Sequence, residues 1–316
     1  MLLFLGLDGG QSGTTAIIGD ESGRVVGMGK GGPCNHVGAA EGRNKFLNAI
    51  GESVQSACLQ ANLGTTVEFE AVCAGFSGGP ADKDLLLRES VRAHRYVLTT
   101  DAVIALSGAT AGAPGIITIA GTGSISYGRN GARRSARVGG WGYIFGDEGG
   151  GFDITRQAVR AILREEEGWG PETALRDSLL AATGAENANQ LMHWFYTDEF
   201  PRPKIAAFSK LVDSFAASGD AVALTIMLNA AQQLATTTSA VRSQLFPRGE
   251  PAKVAPIGGV FRSELLLERF RMLVEMEDGN QVIESIYGPG AGALVEAYAA
   301  AGLTPELSCV PREKEL

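Results

Sequence analysis

Two short glycine-rich segments follow predicted strands and are the first candidates for chemistry. Residues 8–13 (Asp-Gly-Gly-Gln-Ser-Gly) follow the apolar run 2–7, and residues 121–124 (Gly-Thr-Gly-Ser) follow the run 115–120. Backbone N–H groups converge in such turns to bind anions, and the lack of side chains lets a phosphate approach closely. One such turn is ordinary in a strand-rich protein, whereas two matched turns favour a grip on a polyphosphate.

Two aspartates stand at the ends of predicted strands. Asp8 lies beside the first turn, where a carboxylate can hold Mg²⁺ through water while the turn binds phosphate. A strand-end aspartate is also a common turn former. Asp101 follows the strand 96–99 and precedes an apolar helix. It is a candidate for a helix N-cap or for a ligand-binding group, and both roles place it at the carboxyl edge of the sheet, where ligands bind in open α/β sheets.

The densest glycine segment, residues 139–151, surrounds one tryptophan and two acids. So many glycines are costly unless the backbone must bend tightly. Trp141 near Asp147 suits a sugar, because pyranose C–H faces pack on aromatic rings while hydroxyls need acceptors. Asn35 offers a donor and an acceptor to adjacent hydroxyls. The glycine pair 258–259 either passes under an adenine or ribose or ends a strand.

Several other motifs are absent or weak. No G-x-x-x-x-G-K-[ST] motif occurs, which excludes a P-loop. The G-x-G-x-x-G spacing at residues 27–32 meets Pro33 and opens no helix, unlike a dinucleotide fingerprint. The three histidines are dispersed, which argues against a histidine-centred metal site or triad. G-x-S-x-G is satisfied around Ser77, with His193 as the downstream histidine, so a hydrolase stays open as a minor alternative.

The composition is that of a globular, acidic protein. The 316 residues are 45% hydrophobic and 20% charged, with a formal net charge of −8. These values exclude disorder as the main state and argue against nucleic acid as a partner. The four cysteines lack C-x-x-C spacing, which predicts a reducing, cytoplasmic compartment, and no run reaches the ~18 to 20 apolar residues of a membrane span. Glycine is the outlier, with 43 residues or about twice the usual ~7%.

The strand pattern of the opening occurs twice. Residues 2–29 and 115–138 each read as three short strands, with a small-residue turn after the first strand. Alternating helices and strands follow the first set, and mostly helices follow the second. This plan predicts an α/β protein made of duplicated ribonuclease-H-like domains, with a central cleft between them as the ligand site.

The predicted domains are residues 1–113 and 114–288, the second with a helical insertion. A C-terminal helix at about 289–302 is expected to pack back on the first domain. The remaining predicted elements are helices at 39–62, 81–93, 102–111, 152–167, 172–182, 188–196, 203–218 and 221–244, and strands at 67–75, 96–99, 254–258 and 282–286.

The special segments occur in order along nearly the whole chain. Together, residues 8–10, 100–101, 120–124, 139–142 and 146–149 resemble the N-acetylglucosamine kinases, which belong to the BadF/BadG/BcrA/BcrD-type ATPase group of the sugar kinase, Hsp70 and actin superfamily. The Gly-Gly-Trp-Gly and Gly-Asp-Glu-Gly segments are the most specific part. The resemblance implies an actin-like ATPase fold, ATP and Mg²⁺ as cofactors, and a small amino sugar as the partner; a homodimer is the default assembly.

The resemblance also implies roles for particular residues. Asp101 is expected to be the general base on the sugar hydroxyl. The residues expected to line the amino-sugar pocket are Asn35, Ser77, Asp101, Gly140, Trp141 and Asp147. The residues expected to bind ATP are Gly10, Gln11, Ser12, Gly121, Thr122 and Gly123 at the phosphates, and Gly258 and Gly259 at the adenosine.

The chain departs from its relatives in three ways. The third glycine of the family's Asp-Gly-Gly-Gly-Thr turn is Gln11 here, followed by Ser12, so we expect the phosphate grip to differ in detail. The cysteine-rich zinc motif of the ROK sugar kinases is missing, which removes that branch. No closely spaced cysteines suit an iron–sulfur cluster, which counts against the dehydratase activators, although a cluster shared between subunits can take one cysteine from each.

Taken with these residues, the resemblance implies an ATP- and Mg²⁺-dependent kinase that phosphorylates the 6-hydroxyl of an N-acetylated amino sugar, first of all N-acetylglucosamine. Glucosamine, N-acetylmannosamine and N-acetylmuramic acid stay open, because loops set the width of the pocket. A non-kinase ATPase that moves a partner protein is the competing class. A catalytically silent sugar sensor is a third class, against which the presence of both Asp8 and Asp101 counts.

Overall fold

Two five-stranded mixed sheets, each in its own unit, organise the chain. The computed structural model describes residues 1–10, 12–34, 40–64, 67–78 and 83–311. The first unit comprises Met1–Ala113 together with Glu284–Leu316, and the second comprises Pro114–Ile283.

Strands and helices alternate in the first half of the chain, and helices dominate the second half. The strands are β1 (Leu3–Gly9), β2 (Thr14–Asp20), β3 (Val25–Gly31), β4 (Glu68–Phe76), β5 (Arg92–Thr100), β6 (Gly115–Ala120), β7 (Ser124–Arg129), β8 (Ser135–Gly139), β9 (Ala252–Ile257) and β10 (Asn280–Val282). The helices are α1 (Ala40–Gln60), α2 (Asp84–Ser90), α3 (Asp101–Thr110), α4 (Gly151–Glu166), α5 (Leu175–Thr183), α6 (Ala188–Trp194), α7 (Arg202–Ala207), α8 (Ser209–Ala217), α9 (Ala221–Leu245), α10 (Glu264–Glu275) and α11 (Pro289–Ala300).

The first sheet has the order β3-β2-β1-β4-β5, in which β1, β2 and β3 are antiparallel and β1, β4 and β5 are parallel. Successive side chains of a strand point to opposite faces, and β1 follows this rule. Leu5 and Leu7 pack into a core with α1, whereas Phe4 packs with α3 and α11 on the other face. Gly6 lies on the α11 face, where a methyl group would overlap the backbone of Leu294.

Three alternate glycines of β3 explain why α1 lies so close to the sheet. A methyl group at Gly27, Gly29 or Gly31 would overlap the backbone carbonyls of residues 57, 53 and 49, respectively. Alternate residues of β3 point to the same face of the sheet, and every fourth residue of α1 lies on the same face of the helix. The three glycines therefore contact one face of α1 in succession. The first two glycines of the G-x-G-x-x-G spacing thus serve helix packing here, whereas a methyl group at the third, Gly32, would meet no atom within 4 Å.

The second sheet has the order β10-β9-β6-β7-β8, with β6, β7 and β8 antiparallel and β6, β9 and β10 parallel. The strand pattern of the first unit is thus repeated. Helix α9 crosses β6, β7 and β8, where the hydroxyls of Thr118 and Thr238 lie 2.6 Å apart. No single described helix is long and apolar enough to cross a membrane. The segment 202–217, which comprises α7 and α8, meets that requirement only when joined to α9, at a bend of 118°.

Three predicted boundaries are wrong. The helix predicted at 203–218 is two helices, α7 and α8, which meet at Phe208. Residues 92–93 belong to β5 because they pair with β4. The strand predicted at 282–286 ends at Val282, since the N–H groups of Ile286 and Tyr287 donate to carbonyls of α3. Residues 284–288, predicted in the second domain, accordingly lie in the first unit.

The packing of α11 on α3 yields a test of stability. A methyl group at Gly292 would overlap the carbonyl of Ile104 and lie 2.8 Å from Cα of Gly108. We expect Gly292→Ala to lower the free energy of unfolding by about 1–3 kcal/mol, the usual cost of overpacking. The measurement is thermal and urea unfolding followed by circular dichroism.

The matched control is Gly51→Ala, also within a helix. Gly51 is exposed on α1 and has no atom within 4 Å of the position of an added methyl group. Gly51→Ala should raise the free energy of unfolding by about 0.5–1 kcal/mol, because alanine loses less backbone entropy than glycine when a helix forms. A Gly292→Ala protein as stable as the wild type would show that α3 and α11 do not approach each other this closely.

Candidate active site

The first glycine turn connects β1 to β2 through backbone contacts. The Gly10 N–H donates to the Gly13 carbonyl at 2.9 Å. Gly9 admits no side chain, because a methyl group there would overlap the Phe76 ring and lie 2.6 Å from Sγ of Cys34. Ser12 is exposed, and Gln11 lies outside the described residues. A tight turn with an accessible hydroxyl suits an anion such as phosphate.

The carboxyl ends of β1, β4 and β5 bring three predicted site residues to one edge. Asp8 is in register with Gly75 and this in turn with Thr99, so the strands end level with one another. The N–H of Ser77 donates to the Gly9 carbonyl at 3.2 Å, one residue beyond the strand pairing. Asp8, Ser77 and Asp101 therefore all lie at the edge where parallel strands of open sheets place ligands.

The Asp101 carboxylate is held by two hydrogen bonds. The Ser77 hydroxyl donates to Oδ2 at 2.8 Å, and the Ala102 N–H donates to Oδ1 at 2.8 Å. Asp101 is the first residue of α3, and Thr100 occupies the N-cap position, so the N-cap alternative is wrong. A first-turn carboxylate also lies near the positive end of the helix dipole. The side chain is only partly buried, which leaves the carboxylate open to a ligand.

The second glycine turn, between β6 and β7, is bonded to the start of α4. The N–H of Gly121 donates to the Gly123 carbonyl at 2.9 Å. The carbonyls of Gly121 and Thr122 accept from the N–H groups of Gly151 and Phe152 at 2.8 and 3.0 Å, respectively. These are N–H groups of the first helical turn, which lack partners within the helix. The second turn and the start of α4, 30 residues apart in sequence, thus form one structure.

Asp147 lies directly against the second turn. A methyl group at Gly123 would overlap the Asp147 carboxylate. Burial raises the pKa of Asp147 above its ordinary value, and the nearby Glu148 adds to this; the N–H groups of Ser124 and Gly142 and the charge of Arg202 act in the opposite direction. Asp147 also has a φ of 64°, the left-handed conformation that few residues other than glycine adopt. A desolvated carboxylate in a strained backbone is typical of a functional position.

Trp141 stands in a loop whose neighbours are all left-handed glycines. Gly139, Gly140 and Gly142 have φ values of 80°, 70° and 83°. A methyl group at Gly140 would lie 2.8 Å from Cδ1 of Ile125, so that side chain would have to shift to admit it. The indole is 67% exposed, with the Arg137 guanidinium 4.7 Å from its ring centre. The ring is available to a ligand, although one cation already stacks on it.

The glycine pair after β9 adjoins the second turn as well. Gly258 has a φ of 111°, and a methyl group there would overlap the carbonyl of Ala120. Gly259 has no atom near the position of an added methyl group and borders a cavity of about 220 Å³. Lys210 and Arg262 line this cavity too. Sequence reasoning missed both, because nothing in the helical pattern marks them.

Two predicted site residues and part of one motif lie outside the residues that the structure describes. Asn35, like Gln11, is not among the described residues, and neither is the last glycine of the G-x-S-x-G motif, Gly79. Ser77 itself donates to the Asp101 carboxylate. In a hydrolase triad the serine hydroxyl donates to a histidine, so this contact counts against the hydrolase alternative.

Oxygen donors at the first turn fit a hard cation. Asp8 offers a carboxylate at the end of β1, and Mg²⁺ is held in proteins by one or two carboxylates plus waters and substrate phosphates. Within the described part of the chain, no group of three or more His, Cys, Asp or Glu side chains is arranged to hold a metal.

The duplicated mixed sheets, each with a glycine turn after its first strand, define an α/β protein of the ribonuclease-H-like, actin-like ATPase class. The model of the BadF/BadG/BcrA/BcrD ATPase family matches residues 5–297, and the chain belongs to that family. The resemblance seen in the motifs is confirmed.

Relatives in this family carry kinase names. The chain is 33% identical over 237 residues to an N-acetylmuramic acid/N-acetylglucosamine kinase of Clostridium acetobutylicum, covering 73% of this chain and 78% of the relative. It is 28% identical over 312 residues to an N-acetyl-D-glucosamine kinase of Dictyostelium discoideum, covering 93% and 97%. A solved structure from Chromobacterium violaceum, provisionally named an N-acetylglucosamine kinase, superposes with a TM-score of 0.73 at 26% identity, covering 93% and 98%.

The raised pKa of Asp147 predicts how its removal changes stability with pH. A folded-state pKa above the ordinary 3.8 means that this group's contribution to stability is present at low pH and is lost as pH rises through the folded pKa. In Asp147→Asn the amide does not ionise, so the variant does not lose stability at this position as the pH rises. Asparagine also tolerates the left-handed backbone conformation. We expect its Tm to exceed that of the wild type at pH 7, by a margin that shrinks as the pH falls.

The control for this test is Asp198→Asn, which removes an exposed carboxylate of the same unit and reports the effect of net charge alone. Both variants are melted across the acid range in which the protein stays folded. A Tm difference between Asp147→Asn and the wild type that stays constant with pH would contradict the assigned burial of this carboxylate.

Proposed function

We propose that the protein is an ATP-dependent sugar kinase that transfers the γ-phosphoryl group to the 6-hydroxyl of an N-acetylated amino sugar, N-acetylglucosamine first of all. The observation that carries the proposal is the Asp101 carboxylate, oriented by Ser77 at the strand edge beside the first glycine turn. The names of the two curated relatives support the choice of substrate.

Phosphoryl transfer asks the protein mainly for alignment and charge stabilisation. The turn at residues 9–13 and the turn at residues 121–124 are proposed to bind the phosphates of ATP, through Gly10, Gln11 and Ser12 and through Gly121, Thr122 and Gly123. The tight Gly10–Gly13 and Gly121–Gly123 hydrogen bonds support this assignment, because they hold each turn in shape. The open backbone at Gly259, next to Gly258 and a cavity whose lining includes Lys210 and Arg262 as well as Asp213, supports a nucleoside position there.

Asp101 is proposed to accept the proton of the sugar hydroxyl. Its two hydrogen bonds fix the plane of the carboxylate, and a lone pair on an oxygen remains for the incoming proton. A base of this kind contributes about 10²- to 10⁴-fold to the rate. Asp8 is proposed to hold Mg²⁺ through water, and the cation when bound neutralises charge on the phosphates.

The sugar pocket is proposed to include Asn35, Ser77, Gly140, Trp141 and Asp147. The Asp147 carboxylate can accept hydrogen bonds from sugar hydroxyls. Its burial raises its pKa, which means that holding this charged acceptor in place before the sugar binds lowers the stability of the fold. The exposed indole of Trp141 offers a face for the apolar side of a pyranose.

The remaining proposals concern the setting of the enzyme. We propose that it acts in the cytoplasm as a homodimer on a small-molecule substrate. All four cysteines are free thiols, three of them buried, which is compatible with a reducing compartment.

The primary test is ADP release by the purified protein with MgATP and a panel of sugars. The panel contains N-acetylglucosamine, N-acetylmuramic acid, glucosamine, N-acetylmannosamine and glucose, with a no-sugar control. We expect N-acetylglucosamine to raise turnover by roughly a hundredfold over the control. Equal hydrolysis with and without every sugar would overturn the kinase proposal and favour the non-kinase ATPase class instead.

Removal of the proposed base tests the mechanism. We expect Asp101→Asn to lower kcat by about 10²- to 10⁴-fold, with little change in the KM for ATP, because only proton acceptance is lost. The matched control is Asp84→Asn, which removes another first-turn aspartate of the same unit, paired with Arg88 on the surface of α2. The control should keep wild-type kcat. An Asp101→Asn enzyme that keeps a tenth or more of wild-type turnover would exclude Asp101 as the base.

A further inference from the structure

A buried lysine lies next to the proposed base. Lys83, the residue before α2, is only 4% exposed. Lysines are almost never buried to this extent unless the ammonium is well bonded, since desolvation of a charge is expensive. Neither the glycine turns nor the family motifs pointed to this residue.

The Lys83 side chain connects the start of α2 to the end of β4. Its Nζ donates to the Ser77 carbonyl at 3.4 Å and lies 5.2 Å from the centre of the Phe76 ring. Its own carbonyl accepts from the Leu87 N–H at 2.9 Å, which anchors its backbone to the helix. With its backbone anchored at the start of α2, Lys83 thus places its ammonium at Ser77, six residues earlier in the chain, just after the end of β4.

The ammonium also lies near the first glycine turn. Burial raises the pKa of the Cys34 thiol; the charge of Lys83 opposes this rise and the charge of Asp8 adds to it. Both charges therefore act on a thiol that lies directly against Gly9. Phe76, over which the ammonium lies, packs on Gly9 as well. Lys83 thus belongs to the same strand edge as Asp8 and Ser77.

Ser77 is held at three different atoms. Its N–H donates to Gly9, its carbonyl accepts from Lys83, and its hydroxyl donates to Oδ2 of Asp101. The first two contacts fix the backbone of Ser77. The third orients the Asp101 carboxylate relative to that backbone. A shift of the Ser77 backbone would therefore turn or release the Asp101 side chain.

We propose that Lys83 is a positioning residue for phosphoryl transfer: its ammonium fixes the Ser77 backbone so that the Ser77 hydroxyl holds Asp101 in the orientation that accepts the sugar proton. The inference rests on the proposed function, since it needs Asp101 to be the base. An apolar residue of the same volume would fill this space without a desolvated charge, but it could not donate the directional hydrogen bond to the Ser77 carbonyl.

A double-mutant cycle on kcat tests this role. Lys83→Met keeps the length of the side chain and removes the donor, and we expect kcat to fall about tenfold or more, as small displacements of catalytic groups do. If Lys83 acts through Ser77, the double variant with Ser77→Ala should be no slower than Ser77→Ala alone, because no serine hydroxyl is left to misplace.

Three further variants keep the test independent of folding. Lys83→Arg retains a charged donor and should recover kcat at least in part. Lys45→Met, at an exposed lysine of α1, should leave kcat at the wild-type level. If Lys83→Met does not fold, as judged by its thermal transition, Lys83→Gln replaces it in the same cycle, because the shorter amide cannot reach as far.

The outcomes separate the two proposals. A wild-type enzyme without sugar-dependent turnover overturns the proposed function and this inference with it. An active wild type in which the Lys83 and Ser77 effects on kcat multiply overturns only the role of Lys83. A Lys83→Met enzyme with a lower Tm but wild-type kcat also overturns it, because the ammonium would then serve stability alone.

Discussion

Close approach of one backbone to another at glycine is the constraint on which both units depend. Three glycines of β3 let α1 lie directly on the sheet, and Gly292 lets α11 lie directly on α3. In the second unit, Gly258 passes over the Ala120 carbonyl where the second turn begins. A Cβ atom at any of these positions would overlap a backbone carbonyl and separate the packed elements. Part of the high glycine content thus serves packing, at a cost in backbone entropy.

Each unit carries a charged side chain in a place that does not favour charge. Asp147 is a partly desolvated carboxylate in a left-handed conformation, and Lys83 is an almost fully buried ammonium. Strained and desolvated groups persist only where the surrounding structure over-determines them. The second turn holds the first group in place, and the Ser77 carbonyl and Phe76 ring hold the second. In each case the fold loses some stability and gains a polar group that is already held in place.

Much of the fold was accessible from pattern, because strand alternation and turn residues are local signals. The two sets of three strands and the helical second half are present, whereas the break at Phe208 and the end of β10 were missed. The second miss depends on contacts distant in sequence: the N–H groups of Ile286 and Tyr287 bond to α3 rather than continue a strand. Periodicity cannot register such competition, since it reads only neighbouring residues.

The sequence by itself determined which residues are chemically able to act: the glycine turns, Asp8, Asp101, and the segment with Trp141 and Asp147. Residue type and local spacing suffice for that, since anion-binding turns and strand-end acids are properties of short segments. Only the tertiary structure decided which of them touch. The Ser77–Asp101 bond, the contact of Asp147 with the second turn and the burial of Lys83 each join residues set apart along the chain. Strand register and backbone approach create those contacts, and both are products of folding.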